Sequence, residues 1–241
     1  MIIFLIARSI FWYICFAFSL IWHTPQLFLA KRKSKSMKPR DFDIYIHKLA
    51  SRWALGNVRR SGSRFHISGL ENIPRNESVV FVSNHQGNFD IAVFLAYLPI
   101  PHGYVSKIEI LKIPLLRSWM KNLRCIFIDR KNIRQTAGAF VKGIKILQNG
   151  HSLVLFPEGT RSKSEIMGEF KPASFKLATK AGVSIVPVSI NGTFRIMEAN
   201  RGLIKPTDVY VKFHPAISTD VDDLSSLPER VREIIREGLN A

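Results

Sequence analysis

The hydrophobic pattern divides the chain early. Residues 1–30 are dominated by Ile, Leu, Phe and Trp, interrupted by Arg8, His23, Pro25 and Gln26. The 14 residues 9–22 carry no formal charge, which is short of the roughly 20 that a membrane span requires. Adding residues 1–7, with Arg8 snorkelling along its aliphatic stem, makes the run long enough. Spanning the bilayer and lying in its interface both remain open. A secretory signal peptide is disfavoured, because the basic cluster follows the apolar run and no small-residue cleavage site is present.

Phe42, Ile46, Leu49 and Trp53 then recur at helical spacing, with Lys48 and Arg52 on other faces. This predicts an amphipathic helix over residues 41–58, packed on the first helix, on the membrane or on the domain core. Gly62 and Ser63 mark a boundary, so residues 1–62 are expected to form a membrane-associated helical segment and 63–241 the body. In the body, strand-like runs fall at 65–67, 78–83, 103–106, 125–128, 152–156, 184–190 and 209–213. Helical patterns occupy 89–97, 114–122, 133–148, 172–181 and 228–238. The alternation predicts an α/β layered fold, a largely parallel β-sheet flanked by helices, with an N-terminal membrane-associated helical pair. Ligands then gather at the carboxyl ends of the strands.

Composition changes this picture in one respect. The formal charge of +17 predicts attraction to a polyanion, whether nucleic acid, anionic membrane or phosphorylated substrate. Lys31, Arg32, Lys33, Lys35, Lys38 and Arg40 directly follow the apolar run, where each contributes up to about 1 kcal/mol of attraction to an anionic leaflet. No nucleic-acid-binding motif accompanies them, so an anionic phospholipid membrane is the expected partner and nucleic acid is not. If the first segment spans, the positive-inside rule puts the body on the cytoplasmic side of the cytoplasmic membrane. Two cysteines provide no disulfide framework.

The chemistry centres on residues 79–90, VVFVSNHQGNFD, a buried strand that delivers His85 to a turn and Asp90 to the start of a helix. On a regular helix, positions five apart lie about 140° apart and their side chains do not meet. A turn through Gly87 and Asn88 can instead bring the Asp90 carboxylate to one imidazole nitrogen, leaving the other free as a general base. The plain alternative makes Asn84 and Asp90 turn and cap residues and His85 a bystander. No G-x-S-x-G elbow occurs, and Cys15 and Cys125 lie in apolar surroundings, so the substrate is expected to supply the attacking hydroxyl. Two further strand ends carry charge. Arg130 follows the strand at 125–128, and Glu158, Gly159, Thr160 and Arg161 follow the strand at 152–156. The arginines can bind a phosphate by forked hydrogen bonds, Gly159 allows close backbone approach, and Glu158 can hold a hydroxyl. Taken singly, Arg130 can simply pair with Asp129, and 158–161 can be an ordinary polar turn.

Four segments, NHQGNFD at 84–90, FIDR at 127–130, FPEGTRS at 156–162 and IVPVSI at 185–190, together resemble the four ordered motifs of the glycerolipid acyltransferases. The bacterial 1-acyl-glycerol-3-phosphate (lysophosphatidate) acyltransferases are similar over residues 65–191. The resemblance implies acyl transfer from a thioester, on acyl carrier protein or coenzyme A, to the 2-hydroxyl of lysophosphatidate, giving phosphatidate. It implies His85 and Asp90 as catalytic residues, and Glu158, Gly159, Thr160 and Arg161 as ligands of the phosphoglycerol head, with Arg130 beside them. Lys107, just after a strand, is a further phosphate or oxyanion candidate. No metal and no cofactor beyond the donor thioester is expected. The alternatives are an acyltransferase acting on glycerol 3-phosphate or another lysolipid, and a non-catalytic membrane lipid-binding protein.

Overall fold

The computed structural model describes residues 2–220 and 223–240. Met1, which begins the apolar segment, and Val221, Asp222 and Ala241, which belong to the expected body, lie outside the described residues. Seven strands form one sheet: β1 (Arg64–Ser68), β2 (Val80–Ser83), β3 (His102–Lys107), β4 (Ile126–Ile128), β5 (Ser152–Leu155), β6 (Ile185–Asn191) and β7 (Asp208–Phe213), in the order β1-β7-β6-β2-β5-β3-β4. All neighbours pair in parallel except β6 and β7. The five strands β2 to β6 therefore end at the same edge. β2 lies central, with β5 and β6 as neighbours.

The period-two alternation of strand side chains separates two cores. Val79, Phe81, Val154, Val186, Val188 and Ile190 point to one face, and Val80, Val82, Leu153, Leu155 and Ile185 to the other. Buried on both sides, these strands read as unbroken apolar runs. Helices α3 (Pro39–Arg60) and α4 (Phe89–Tyr97) cover the first face. Helices α6 (Ile133–Gln148), α7 (Lys176–Ala181) and α8 (Leu227–Asn240) cover the second. The short α5 (Pro114–Asn122) contributes Met120 to the first core. The helix expected over 172–181 begins instead as a 3-10 turn, Pro172–Phe175, before α7.

At the N-terminus, α1 (Ile2–Trp22) and α2 (Thr24–Ser36) meet at His23, with Pro25 in the first turn of α2. Taken together, Ile2–Ser36 is long and apolar enough to cross a membrane. α1 nevertheless lies along the body. Arg8 does not snorkel: its Nη2 donates to the Ser61 carbonyl at 2.7 Å. Ser9 Oγ accepts from the Ile204 N–H at 2.8 Å, Trp12 Nε1 donates to the Asn57 carbonyl at 3.0 Å, and Trp53 Nε1 donates to Ser19 Oγ at 3.0 Å. The opposite side of α1 exposes Ile3, Phe4, Ile10, Phe11, Ile14 and Phe18.

α3 is a core helix. Ile46, Ala50, Ala54 and Val58, four apart on one stripe, are buried, and the two alanines let α3 approach α4 closely. Burying Ile46 and Val58 contributes about 1.5–3 kcal/mol each. Of the three settings open to this helix it takes two: its buried stripe faces the domain core, and Trp53 and Asn57 join it to the first helix.

Candidate active site

β2 ends at Ser83, and the next residues are locked before any chemistry begins. The Asn84 amide bridges to β6, its Nδ2 donating to the Ile190 carbonyl at 2.8 Å and its Oδ1 accepting from the Ile190 N–H at 2.9 Å. Buried Gln86 accepts the Gly192 N–H on Oε1 at 2.8 Å. The turn carrying His85 is thus tied to the end of β6 on both sides.

His85 and Asp90 meet across this turn. His85 Nδ1 lies 2.7 Å from Asp90 Oδ2. The same oxygen accepts the Gly87 N–H at 2.9 Å, and Oδ1 accepts the Thr193 hydroxyl. Asp90 is fully buried, and three donors converge on its two oxygens, so it acts as a carboxylate acceptor. The Nδ1 proton is therefore fixed toward Asp90, and Nε2 carries the lone pair. His85 also stacks on Phe156, with centroids 4.1 Å apart and planes 20° from parallel. The imidazole is held in both position and tautomer. Its side chain remains 17% exposed, against none of Asp90, leaving the basic nitrogen accessible.

The turn after β5 packs against the His85 turn. The Ser162 and Lys163 N–H groups donate to the carbonyls of His85 and Gln86 at 2.8 and 3.1 Å. Glu158, expected to hold a substrate hydroxyl, uses its carboxylate differently. Oε1 accepts the His85 N–H at 2.6 Å and Oε2 the Gly168 N–H at 2.9 Å. Burial raises its pKa while these two amides oppose the shift. Gly159 takes φ +75°, a left-handed conformation that favours glycine. A β-carbon there would lie 3.2 Å from both Arg130 Nη2 and Lys171 Nζ. Two cations thus converge on Gly159, although β4 stands three strands from β2, about 14 Å across the sheet. Among the described residues neither cation has an acidic partner within ion-pair distance.

Arg161 reaches over the His85 turn, Nη1 donating to Asn88 Oδ1 at 2.5 Å and to Glu198 Oε1 at 3.1 Å. Glu198 also accepts the Asn88 N–H at 2.8 Å. It packs so closely on Gly87 that a β-carbon there would lie 2.6 Å from Glu198 Oε2. Thr160 is exposed at the turn. Lys107 ends β3 on the same edge, exposed and without a bond to the other predicted residues.

Thr193, Glu198, Lys171 and Phe156 all shape this site and were not singled out by sequence reasoning. One signal was available for Thr193: it lies three residues beyond IVPVSI, at the end of a strand sharing the reactive edge. Among the described residues no cluster of three or more His, Cys, Asp or Glu side chains is placed to hold a metal. The cleft of about 640 Å³ between α3 and the 97–101 loop opens at the opposite edge of the sheet and holds none of the predicted catalytic or substrate-binding residues.

A mostly parallel α/β sheet, with an oriented histidine and cations converging at its carboxyl edge, has the arrangement of an enzyme active site. The family model described as Acyltransferase matches residues 64–191, and the chain belongs to that family. A 1-acyl-sn-glycerol-3-phosphate acyltransferase of Borreliella burgdorferi is 34% identical over 178 residues, 73% of this chain and 70% of that one. A probable 1-acyl-sn-glycerol-3-phosphate acyltransferase of Mycoplasma genitalium is 32% identical over 213 residues, 80% and 75% of the two chains. The crystal structure of the 1-acyl-sn-glycerophosphate acyltransferase PlsC from Thermotoga maritima superposes with a TM-score of 0.87 at 25% identity, covering 99% of this chain and 95% of that one.

Proposed function

We propose that the protein transfers a fatty acyl group from a thioester, carried by acyl carrier protein or coenzyme A, to the 2-hydroxyl of lysophosphatidate, forming phosphatidate. The observation that carries this reading is the His85 imidazole, held by Asp90 on Nδ1 with Nε2 open at the strand edge. Relatives named for this reaction support the choice of substrates. Nε2 takes the hydroxyl proton as the oxygen attacks the thioester carbonyl. The tetrahedral intermediate then collapses, its carbon–sulfur bond breaks, and the imidazolium returns the proton to the departing thiolate. Asp90 stabilises the imidazolium between these steps, and general-base help of this kind contributes about 10² to 10⁴ in rate. No further cofactor enters the balance.

In this reading Arg130 and Lys171, converging on Gly159, take the acceptor's phosphate, with the free Nη2 and Nε of Arg161 at the rim and Thr160 and Lys107 as outer ligands. Glu158 and Glu198 position the loops instead of touching substrate. Residues 63–241 carry the chemistry and 1–62 seat it on the membrane, α3 belonging to the core of the body. Because residues 8 to 19 of α1 stay bonded to the body over about 17 Å, α1 lies in the interface with its outer face in lipid and does not leave the body to span. The basic residues after it then face the anionic cytoplasmic leaflet.

The test is acceptor profiling. Purified protein receives labelled acyl-carrier-protein and acyl-coenzyme A donors with lysophosphatidate, glycerol 3-phosphate and neutral lysolipids. Phosphatidate is the expected product. Preferential turnover of glycerol 3-phosphate or of a lysolipid without a phosphomonoester would refute the acceptor assignment.

A further inference from the structure

The outer face of α6 has no role in the site just described, and its composition is unusual. Its 16 residues contain no Asp or Glu. Arg134, Gly138, Val141, Lys142 and Lys145 share one stripe at helical spacing. All five are exposed, Val141 by 56%, and Ile133 at the start of the helix is exposed by 86%. Among the described residues none of the three cations pairs with an acid.

The two glycines of α6 differ in their reasons. Gly143, on the inner face, is required by packing, since a β-carbon there would lie 2.8 Å from Leu177 and 2.9 Å from Ile126. At Gly138 a β-carbon would meet no atom of the described residues within 4 Å. Glycine is the poorest helix former after proline, so an open mid-helix glycine is a cost that no contact among the described residues explains. A partner's backbone approaching closely at that point would explain it.

α6 is also rigidly joined to the reactive edge. Asn132 caps it by accepting the Gln135 N–H at 3.0 Å. The Gln135 side chain donates to the Phe127 carbonyl at 2.9 Å and accepts the Asp129 N–H at 2.7 Å, and the Thr136 hydroxyl donates to the Asp129 carbonyl at 2.6 Å. These bonds hold the loop that carries Arg130. α6 further lies across the sheet from α3 and α4, on which the apolar α1 is seated. A bilayer holding the outer face of α1 therefore meets the other layer of the molecule.

We propose that the exposed face of α6 docks a helix of an acidic acyl carrier protein, delivering the donor thioester to His85 from the side opposite the membrane. This rests on the acyltransfer reading above and decides between its two donors. Arg134, Lys142 and Lys145 meet carboxylates on the partner helix, Val141 supplies the apolar contact, and Gly138 lets the two backbones approach. The acceptor arrives from the bilayer and the donor from solution, and both meet at the carboxyl ends of the strands.

The experiment compares two donors on the full chain and two variants. Reversing the charges in Arg134→Glu/Lys142→Glu/Lys145→Glu should raise KM for acyl-carrier-protein donor by about tenfold or more, while kcat/KM with acyl-coenzyme A stays within about twofold. Gly138→Gln improves helix propensity, so it should raise Tm by about 1–2 °C and still lose turnover with the carrier-protein donor only. Equal losses with both donors, or a wild-type enzyme that uses acyl-coenzyme A and not the carrier protein, would overturn the docking site. Equal losses accompanied by weaker binding to phosphatidylglycerol vesicles would assign the face to the membrane and overturn it as well. A wild-type protein inactive with both donors would sink the acyltransfer reading itself.

Discussion

Glu158 separates a residue that touches substrate from one that builds the site. Both of its oxygens accept backbone amides, those of His85 and Gly168, so Glu158→Gln keeps one acceptor and turns an NH₂ toward the other N–H. A hydrogen bond to a charged acceptor contributes about 1.5–3 kcal/mol, and the amide left facing a donor adds to the loss. Relief of burying a charge, the effect that raises the Glu158 pKa, offsets part of this. A net cost of about 1–2 kcal/mol lowers Tm by about 2–8 °C for a chain of this size. The kinetic effect should be larger, because the displaced amide belongs to His85 and a misplacement of about 1 Å costs on the order of 100-fold. Thermal denaturation and steady-state turnover with lysophosphatidate measure the two together. We expect a lower Tm and a fall in kcat at nearly constant KM. A tenfold rise in KM with kcat and Tm intact would show that Glu158 holds the acceptor's hydroxyl after all.

Removing either cation beside Gly159, as Arg130→Ala or Lys171→Ala, should raise KM for lysophosphatidate by about 10- to 100-fold, since charge-assisted bonds contribute about 1.5–3 kcal/mol each. Unchanged KM in both variants would move the phosphate elsewhere. Acid should unfold the protein through its buried histidines. Burial holds His47 and His214 down at about 4 and His102 at about 3, against an ordinary 6.5. These groups fold neutral, so their contribution is complete above the ordinary value and is lost as pH falls toward the depressed ones. Near about pH 4.5 each costs about 2–3 kcal/mol. Tm should therefore drop steeply below pH 6.5, and less steeply in His47→Phe, since His47 Nδ1 has no partner among the described residues. An unchanged slope in that variant would contradict the assignment.

The strands were legible because β-branched runs sit between turn formers. Helices α4, α5 and α6 kept the expected bounds because each starts at a clear signal, such as Asp90 in a first turn or Pro114 and Asn132 at a start. Periodicity showed that the helix at 41–58 has an apolar face, and could not say that α4 would cover it. The turn chemistry at 84–90 exposed the His85 and Asp90 arrangement, because both partners lie within one local motif. Thr193, Glu198 and Lys171 escaped because their partners lie some 10 to 110 positions away, and polar loop residues look alike until a fold brings them together. Glu158 was visible as a carboxylate, but a carboxylate bonded to backbone amides leaves no complementary side chain in the sequence. Arg8 was misjudged for the same reason, its partner being the carbonyl of Ser61.

In the proposed mechanism His85, oriented by Asp90, removes the proton of the lysophosphatidate hydroxyl. This step is tested most directly by following phosphatidate formation from a labelled acyl thioester with wild type, His85→Ala and Asp90→Asn, each first checked for unchanged Tm and vesicle binding. Background turnover is expected for His85→Ala, and a loss on the order of 10²- to 10⁴-fold in kcat for Asp90→Asn, whose tautomer is wrong. Phosphatidate formed at near wild-type rate by a folded His85→Ala would contradict this mechanism.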